Sequence, residues 1–362
     1  MSRPAASSSA VRPSSPSASS ASSAPSSAIG IDVGGTKCLG VLLAPDGSVL
    51  TERRRSTPVG ADELVAVLAS IVDELGGGGS VGIGLPGLVD RDGRVVAAPH
   101  LQLPPLLDVG GALAQVIGRE VSTDNDNTTA GLAEWRLGAG RGVDDLLFVG
   151  FGTGIGGLAI CGGSPAMGTH GFAGEFGHMV VDPLGPSCPC GRRGCWERLA
   201  SGTGLALLAR RAVGAGRLAG LVASSGAADA ITGEQVRDAA VRGDTEALAV
   251  VDDLAGWIAL GLVNLVDAYD PALVVLGGGL AANPGLYLGR IERAMRGQLL
   301  GHEHREPPRL TFAVLGERAA AIGAALLPAI RADLGRPAPP GRPAITAVAA
   351  TATAATATIA DG

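Results

Sequence analysis

Residues 146–161 read Leu-Leu-Phe-Val-Gly-Phe-Gly-Thr-Gly-Ile-Gly-Gly-Leu-Ala-Ile-Cys, a glycine-rich stretch between two apolar runs. Gly152, Gly154 and Gly157 satisfy the G-x-G-x-x-G spacing of dinucleotide-binding proteins, with an apolar run before them. That fingerprint requires a following helix, whose N-terminus faces the pyrophosphate. Here Leu158–Cys161 is a second short apolar run, stopped by Gly162-Gly163. The stretch therefore predicts two strands, Leu146–Phe151 and Leu158–Cys161, around a glycine turn, and excludes a Rossmann unit. Tight glycine turns let backbone N–H groups approach an anion, so this hairpin suits a phosphate, with Thr153 as side-chain donor.

The same order opens the chain. Ile29–Val33 is an apolar run stopped by Gly34-Gly35, and Leu39–Ala44 is a second. Pro45-Asp46-Gly47-Ser48 is a turn, after which Val49-Leu50 resumes, predicting an antiparallel meander. Asp62–Leu75 has apolar residues at positions 64, 65, 67, 68, 71, 72 and 75, which is helical spacing, and Val81–Leu85 reads as a strand ending at Pro86-Gly87. In the second half, helices are predicted over 203–213, 233–240 (with Thr232 and Gln235 as a capping box) and 244–268. A strand, Ala272–Leu276, ends at Gly277-Gly278-Gly279, and Ala319–Ile330 is a last apolar helix. Strand, glycine turn and strand thus occur twice, about 115 residues apart, which predicts two copies of one α/β unit facing across a cleft.

The 362 residues, 46% apolar, suffice for two ordinary domains. With 3% aromatics, the core must come from Ala, Val, Leu and Ile. A net charge of −6 gives no basic footprint for nucleic acid. No run of 18 apolar residues is free of charges and Gly, so no membrane span is expected. Residues 1–28 are nearly all Ser, Ala and Pro without an apolar signal core, and the end from Arg336 is Ala/Thr/Pro-rich; both are expected to be disordered tails, and the location cytoplasmic. Lys37 is the single Lys among 28 basic residues and follows Thr36, so there is no Walker A motif.

Three further segments carry chemistry. In Asp32-Val-Gly34-Gly35-Thr36-Lys37, Asp32 suits a hydrated Mg²⁺, and Thr36 and Lys37 suit phosphate oxygens, although the same residues make an ordinary hairpin. Cys188-Pro-Cys190-Gly-Arg-Arg-Gly-Cys195, with His178 ten positions upstream, supplies three thiolates and one imidazole, a closed tetrahedral Zn²⁺ set of structural type. Five cysteines and no secretory signal argue against a disulfide framework, and Cys38 and Cys161 read as small core residues. Glu175 and Glu197 flank the metal loop, which would fix one relative to the other. Thr123-Asp124-Asn125-Asp126-Asn127 lies between an apparent strand, Glu120–Ser122, and a helix, Thr128–Trp135. Asp126 is the candidate base and Asn125 would orient hydroxyls; the competing reading is a helix N-cap.

Taken in order, Asp32-x-Gly-Gly-Thr-Lys37, Gly84-Leu-Pro-Gly87, Asn125-Asp126, Gly152-Thr-Gly-Ile-Gly156, Gly174-Glu-Phe-Gly-His178, the cysteine loop through Glu197, and Gly277-Gly-Gly279 resemble the ROK family of sugar kinases, most like the actinobacterial ATP-dependent glucokinases. The resemblance covers about 29–330. It implies an α/β, actin-like and hexokinase-like ATPase fold. A small domain would span 29–123 plus about 315–334, and a large one 124–314. It implies Asp126 as catalytic base, Asn125, Glu175, His178 and Glu197 on the sugar, and Gly87 and His100 lining the sugar side. His178, Cys188, Cys190 and Cys195 would hold zinc. Asp32, Gly34, Gly35, Thr36, Lys37, Gly152, Thr153 and Gly154 would cradle the ATP phosphates, with Gly278 and Gly279 against the adenosine.

The implied cofactors are ATP, Mg²⁺ and structural Zn²⁺, and the implied assembly is a homodimer or homotetramer. The implied reaction phosphorylates a hexose 6-hydroxyl, glucose foremost. N-acetylmannosamine, fructose or allose are alternatives, and a sugar-responsive repressor lacking its DNA-binding part is a more distant one. Two segments depart from the family pattern: Asn127-Thr128 stands for the usual Ala-Asn, and Pro99-His100-Leu101 for Pro-Asn-Leu.

Overall fold

The chain is described here by a computed structural model, which covers residues 27–98, 101 and 103–335; His100 and the expected tails, 1–26 and 336–362, lie outside the described residues. The opening apolar runs pair as an antiparallel meander, β1 (Ala28–Val33), β2 (Lys37–Leu43) and β3 (Val49–Ser56). Then come α1 (Ala61–Leu75), β4 (Val81–Leu85), a small hairpin of β5 (Leu88–Val89) and β6 (Val95–Ala97), α2 (Val109–Ile117), β7 (Val121–Asn125) and α3 (Asp126–Arg136). The second half holds β8 (Leu146–Phe151), β9 (Ile155–Cys161), β10 (Ser164–Pro165), α4 (Glu197–Ala200) and α5 (Gly202–Gly214). It continues through α6 (Ala219–Ser225), α7 (Gly233–Val241), α8 (Thr245–Tyr269), β11 (Leu273–Gly278), α9 (Pro284–Met295), β12 (Arg309–Phe312) and α10 (Ala319–Asp333).

Two five-stranded sheets result, ordered β3-β2-β1-β4-β7 and β10-β9-β8-β11-β12. They match strand for strand. In each, a central strand pairs antiparallel with the strand that follows it and parallel with a later one. This is the duplicated unit that the twin glycine hairpins predict, and the β1–β2 and β8–β9 turns occupy equivalent places.

Glycine joins the halves. A Cβ on Gly30 of β1 or Gly82 of β4 would run into the carbonyls of Ala321 or Ala324 on α10. Gly323 of α10 is pressed equally close to the Thr129 carbonyl of α3. Gly131 of α3 lies on Leu158 and Phe148 of the second sheet. The layers thus run sheet, α10, α3, sheet, with backbones too near for side chains at the first two joints and the Leu158 and Phe148 side chains filling the third. The first core gathers Ile29, Ile31, Leu64, Leu68 and Ile83. The second gathers Val149, Trp196, Ile258, Leu262 and Val274. Among the described residues, α8 is the one helix long and apolar enough to cross a membrane. It buries Val250, Leu254, Ile258, Leu262 and Val266, and Gly261 receives the Trp196 indole, so here it is a core helix.

Three expectations shift. β9 begins at Ile155, so the glycine turn shrinks to 152–154; Gly156 and Gly157 are ladder residues, kept small by Asn127 and the Phe176 ring. β7 runs to Asn125, past the expected Ser122, because its parallel pairing with β4 continues to Leu85. Cys38 is buried as expected, but Cys161 is exposed, because β9 ends there and the Gly162-Gly163 turn carries it to the surface.

Gly30→Val is expected to destabilise by about 3 kcal/mol, because rigid backbone must move. Gly220→Ala on α6, with nothing within 4 Å, should be neutral or slightly stabilising. Urea midpoints compare the two.

Candidate active site

The joint between β7 and α3 sets the central acid. Asn125 caps α3: its Oδ1 accepts from the N–H of Asn127 at 2.8 Å and of Thr128 at 3.0 Å. Its Nδ2 donates to the Gly87 carbonyl at 2.9 Å. Gly87 has φ 102°, and a Cβ there would meet the Ala97 carbonyl. The cap therefore falls on Asn125, and Asp126 becomes the first residue of the helix. Its Oδ1 accepts from the Asn127 N–H at 2.8 Å and Nδ2 at 3.0 Å. Burial pushes the Asp126 carboxyl above the usual carboxylate range, and the Asn127 hydrogen bonds oppose that push. The Asn127 side chain also fills the space over Gly150 and Gly156, so it spans from the acid to the β8–β9 hairpin.

Asp32, near the end of β1, is half-buried. Burial, with the Asp126 charge added, pushes its carboxyl up to about 7, while Lys37 pulls it down. Two carboxylates close enough to interact by charge are hard oxygen donors, and they fit a hydrated Mg²⁺. The first turn closes through Gly34 N–H to the Lys37 carbonyl at 2.9 Å, leaving Gly35 and Thr36 exposed at the tip. Lys37 is turned to Glu317, at 2.8 Å, so its ammonium is already engaged. In the second turn the Gly152 N–H donates to the Gly154 carbonyl at 2.9 Å. Parallel pairing sets Gly277 beside Gly150 and Gly278 beside Phe151, so the second and third glycine turns are neighbours. Gly278 has φ 73°, and its α-carbon faces the Phe151 carbonyl without room for a Cβ.

The cysteine loop folds on itself. Cys188 N–H donates to the Arg192 carbonyl at 2.8 Å and Gly191 N–H to the Cys188 carbonyl at 3.0 Å. One ligand atom from each of His178, Cys188, Cys190 and Cys195 lies within 4.8 Å of the others. The Cys190 and Cys195 sulfurs are 3.6 Å apart, and His178 Nδ1 is 3.8 Å from Cys188 Sγ. A tetrahedron with metal bonds of about 2.0–2.3 Å has edges of about 3.3–3.8 Å, so donors and spacing fit zinc. Four protein ligands leave no open position, which makes the site structural. His178 Nε2 faces Glu175 Oε2 at 3.8 Å, near it but beyond hydrogen-bond reach. Glu197 Oε1 lies 3.3 Å from Cys188 Sγ and 3.7 Å from His178 Nδ1. Burial first, then the Asp126 and Glu197 charges, push Glu175 up to about 7.

Glu175, His178 and Glu197 thus form one wall, and Asp126, Asn125 and Gly87 another. Sequence reasoning missed what supports them. Asn127 registers only as a departure from a pattern, and its contacts with Asp126 and two strands are three-dimensional. Ser201 and Thr203 give no local signal, yet they hold the second turn. Buried Glu134 accepts from Val314 at 2.9 Å and Leu315 at 2.8 Å, tying α3 to the approach to α10. Arg331 of α10 grips β7 through the Thr123 carbonyl at 2.7 Å and Asp124 at 3.2 Å.

Twin sheets with glycine turns and acids at their facing ends define an actin-like, hexokinase-like ATPase fold. Residues 28–330 match the ROK family, and the chain belongs to it. The glucokinase of Streptomyces coelicolor is 34% identical over 306 residues, 82% of this chain and 96% of that protein. The N-acetylmannosamine kinase of Escherichia coli is 31% identical over 300 residues, 80% of this chain and 97% of that one. A ROK family glucokinase from Streptomyces griseus, solved with glucose and AMPPNP, superposes with a TM-score of 0.75 at 35% identity, covering 83% of this chain and 98% of that one.

Metal analysis of the purified chain should find zinc in equal proportion to protein, and Cys190→Ser should lower both zinc content and melting temperature. A zinc-free protein with an unchanged melting temperature would contradict the assignment.

Proposed function

We propose that the chain transfers the γ-phosphoryl group of ATP to the 6-hydroxyl of a hexose, with glucose as first substrate. The observation that carries this is the convergence of Asp126 with Glu175, His178 and Glu197 beside two glycine turns. The glucokinase relatives support the choice of sugar. Glu175, His178 and Glu197 bind the sugar hydroxyls, and Asn125 and Gly87 close the opposite side. The backbone of the two turns holds the phosphates, and Gly278 and Gly279 lie along the adenosine. Asp126 accepts the proton of the 6-hydroxyl, and the oxygen attacks the γ-phosphorus in line as the bond to the β-phosphate oxygen breaks. Asp32 would hold a hydrated Mg²⁺, which when bound would supply neutralising charge for the phosphate oxygens.

The two lobes, 29–123 with about 315–334 and 124–314, would close over the substrates and exclude water, which otherwise competes as acceptor. The relation to an N-acetylmannosamine kinase keeps that sugar as the second candidate; coupled assays over a panel of hexoses with ATP separate the two. Three free thiolate ligands need a reducing compartment, which supports a cytoplasmic location. A homodimer or homotetramer is part of the same proposal, and light scattering reads it.

Asp126→Asn should keep glucose affinity in calorimetry while kcat falls about a thousandfold, the usual scale for a lost general base. Near-normal turnover would remove Asp126 from that role.

Asp126 works ionised, and burial raises its pKa, so activity should fall on the acid side at a pH above the usual carboxylate range. Asn127→Ala removes a donor to the ionised form, so the acid limb of kcat against pH should move to higher pH. A limb that stays in place or moves lower would contradict that role.

A further inference from the structure

The second phosphate turn is held from behind. Ser201 caps α5, its Oγ accepting from the Gly204 N–H at 3.3 Å. The Gly202 N–H donates to the Gly152 carbonyl at 3.0 Å. Thr203 Oγ1 donates to the Thr153 carbonyl at 3.0 Å. Ser201 Oγ and Thr203 Oγ1 are 2.9 Å apart. A carbonyl only accepts, so the single Thr203 hydroxyl hydrogen is committed to Thr153, and Ser201 must be the donor between the two hydroxyls. A directed chain results: Ser201 to Thr203 to the Thr153 carbonyl.

The direction has a geometric effect. No peptide bond among the described residues is cis, so the carbonyl of one residue points opposite to the N–H of the next. Drawing the Gly152 and Thr153 carbonyls onto α5 turns the N–H groups of Thr153 and Gly154 the other way. Neither N–H has a partner among the described residues. Two adjacent free N–H groups facing one side form a concave anion cradle. The amino end of α5 spends its first N–H on the turn, so it orients the cradle and is not itself the cradle.

We propose that Ser201, Gly202 and Thr203 are positioning residues that set the peptide planes of the 152–154 turn toward the ATP phosphates. This rests on the kinase reading above. The clamp also lies on the chain from the zinc loop. Cys195 ligates, Glu197 follows with Oε2 against Gly154, and α4 leads directly into Ser201. One braced segment therefore supports the sugar wall and the phosphate turn together.

Thr203 is exposed, so its substitution does not disturb the core. The test measures the affinity of the full-length, zinc-loaded protein for a non-hydrolysable ATP analogue and for glucose separately by calorimetry, in Thr203→Val and Thr203→Ser. Val should weaken the ATP analogue about tenfold, the scale of one hydrogen bond, and leave glucose affinity, zinc content and melting temperature unchanged. Ser, which keeps the hydroxyl, should stay within about twofold of the native chain. Unchanged analogue affinity in Val, or equal losses in Val and Ser, would overturn the clamp. A chain that bound the analogue, lost it in Val alone, and phosphorylated no hexose would support the clamp and contradict the sugar-kinase reading.

Discussion

Like charges crowded around one space are the constraint on which the site depends. Burial first, and then the charges of Asp126 and Glu197 on Glu175 and of Asp126 on Asp32, make Glu175 and Asp32 harder to ionise. Left to themselves, such groups would swing apart into water. The fold holds them by attaching each to a different rigid support: Asp126 to the capped start of α3, Asp32 to the end of β1, and Glu175 and Glu197 to either side of the histidine and thiolate cluster. The metal loop matters because it fixes the distance between two acids that repel.

The second requirement is that the two halves remain close. α10 meets the first sheet through backbone contacts at Gly30 and Gly82 and meets α3 through Gly323, while Gly131 of α3 seats Leu158 and Phe148 of the second sheet; a side chain at any of them would force the layers apart. Arg331 and Glu134 add polar ties between α10, β7 and α3. These ties bear on α3, the helix that carries Asp126, the proposed proton acceptor. The position of Asp126 is therefore set by the same interface about which the lobes are proposed to close.

Much of this was legible in the chain because the signals are local. The hairpins around Gly34-Gly35 and Gly152–Gly154, the helix of 62–75 and the cysteine spacing each declare themselves within a dozen residues. What escaped reading depends on partners far away in sequence. Lys37 reads as a lone cation in the sequence, and only the fold shows Glu317, 280 residues on, paired with it. Thr203 looks like an ordinary helix-start residue until its hydroxyl is traced to Thr153. The helix Val109–Ile117 was missed because two glycines dilute its pattern, and Arg309–Phe312 because four residues carry too little periodicity.

In the proposed site a metal-braced wall of acids holds the hexose. Calorimetric titration of glucose into the zinc-loaded chain, and into a zinc-stripped sample still folded by circular dichroism, tests it most directly. The account predicts saturable binding to the first and a loss of at least about tenfold in the second, since His178 and both flanking acids lose their fixed spacing. Equal affinity in the two samples would contradict it.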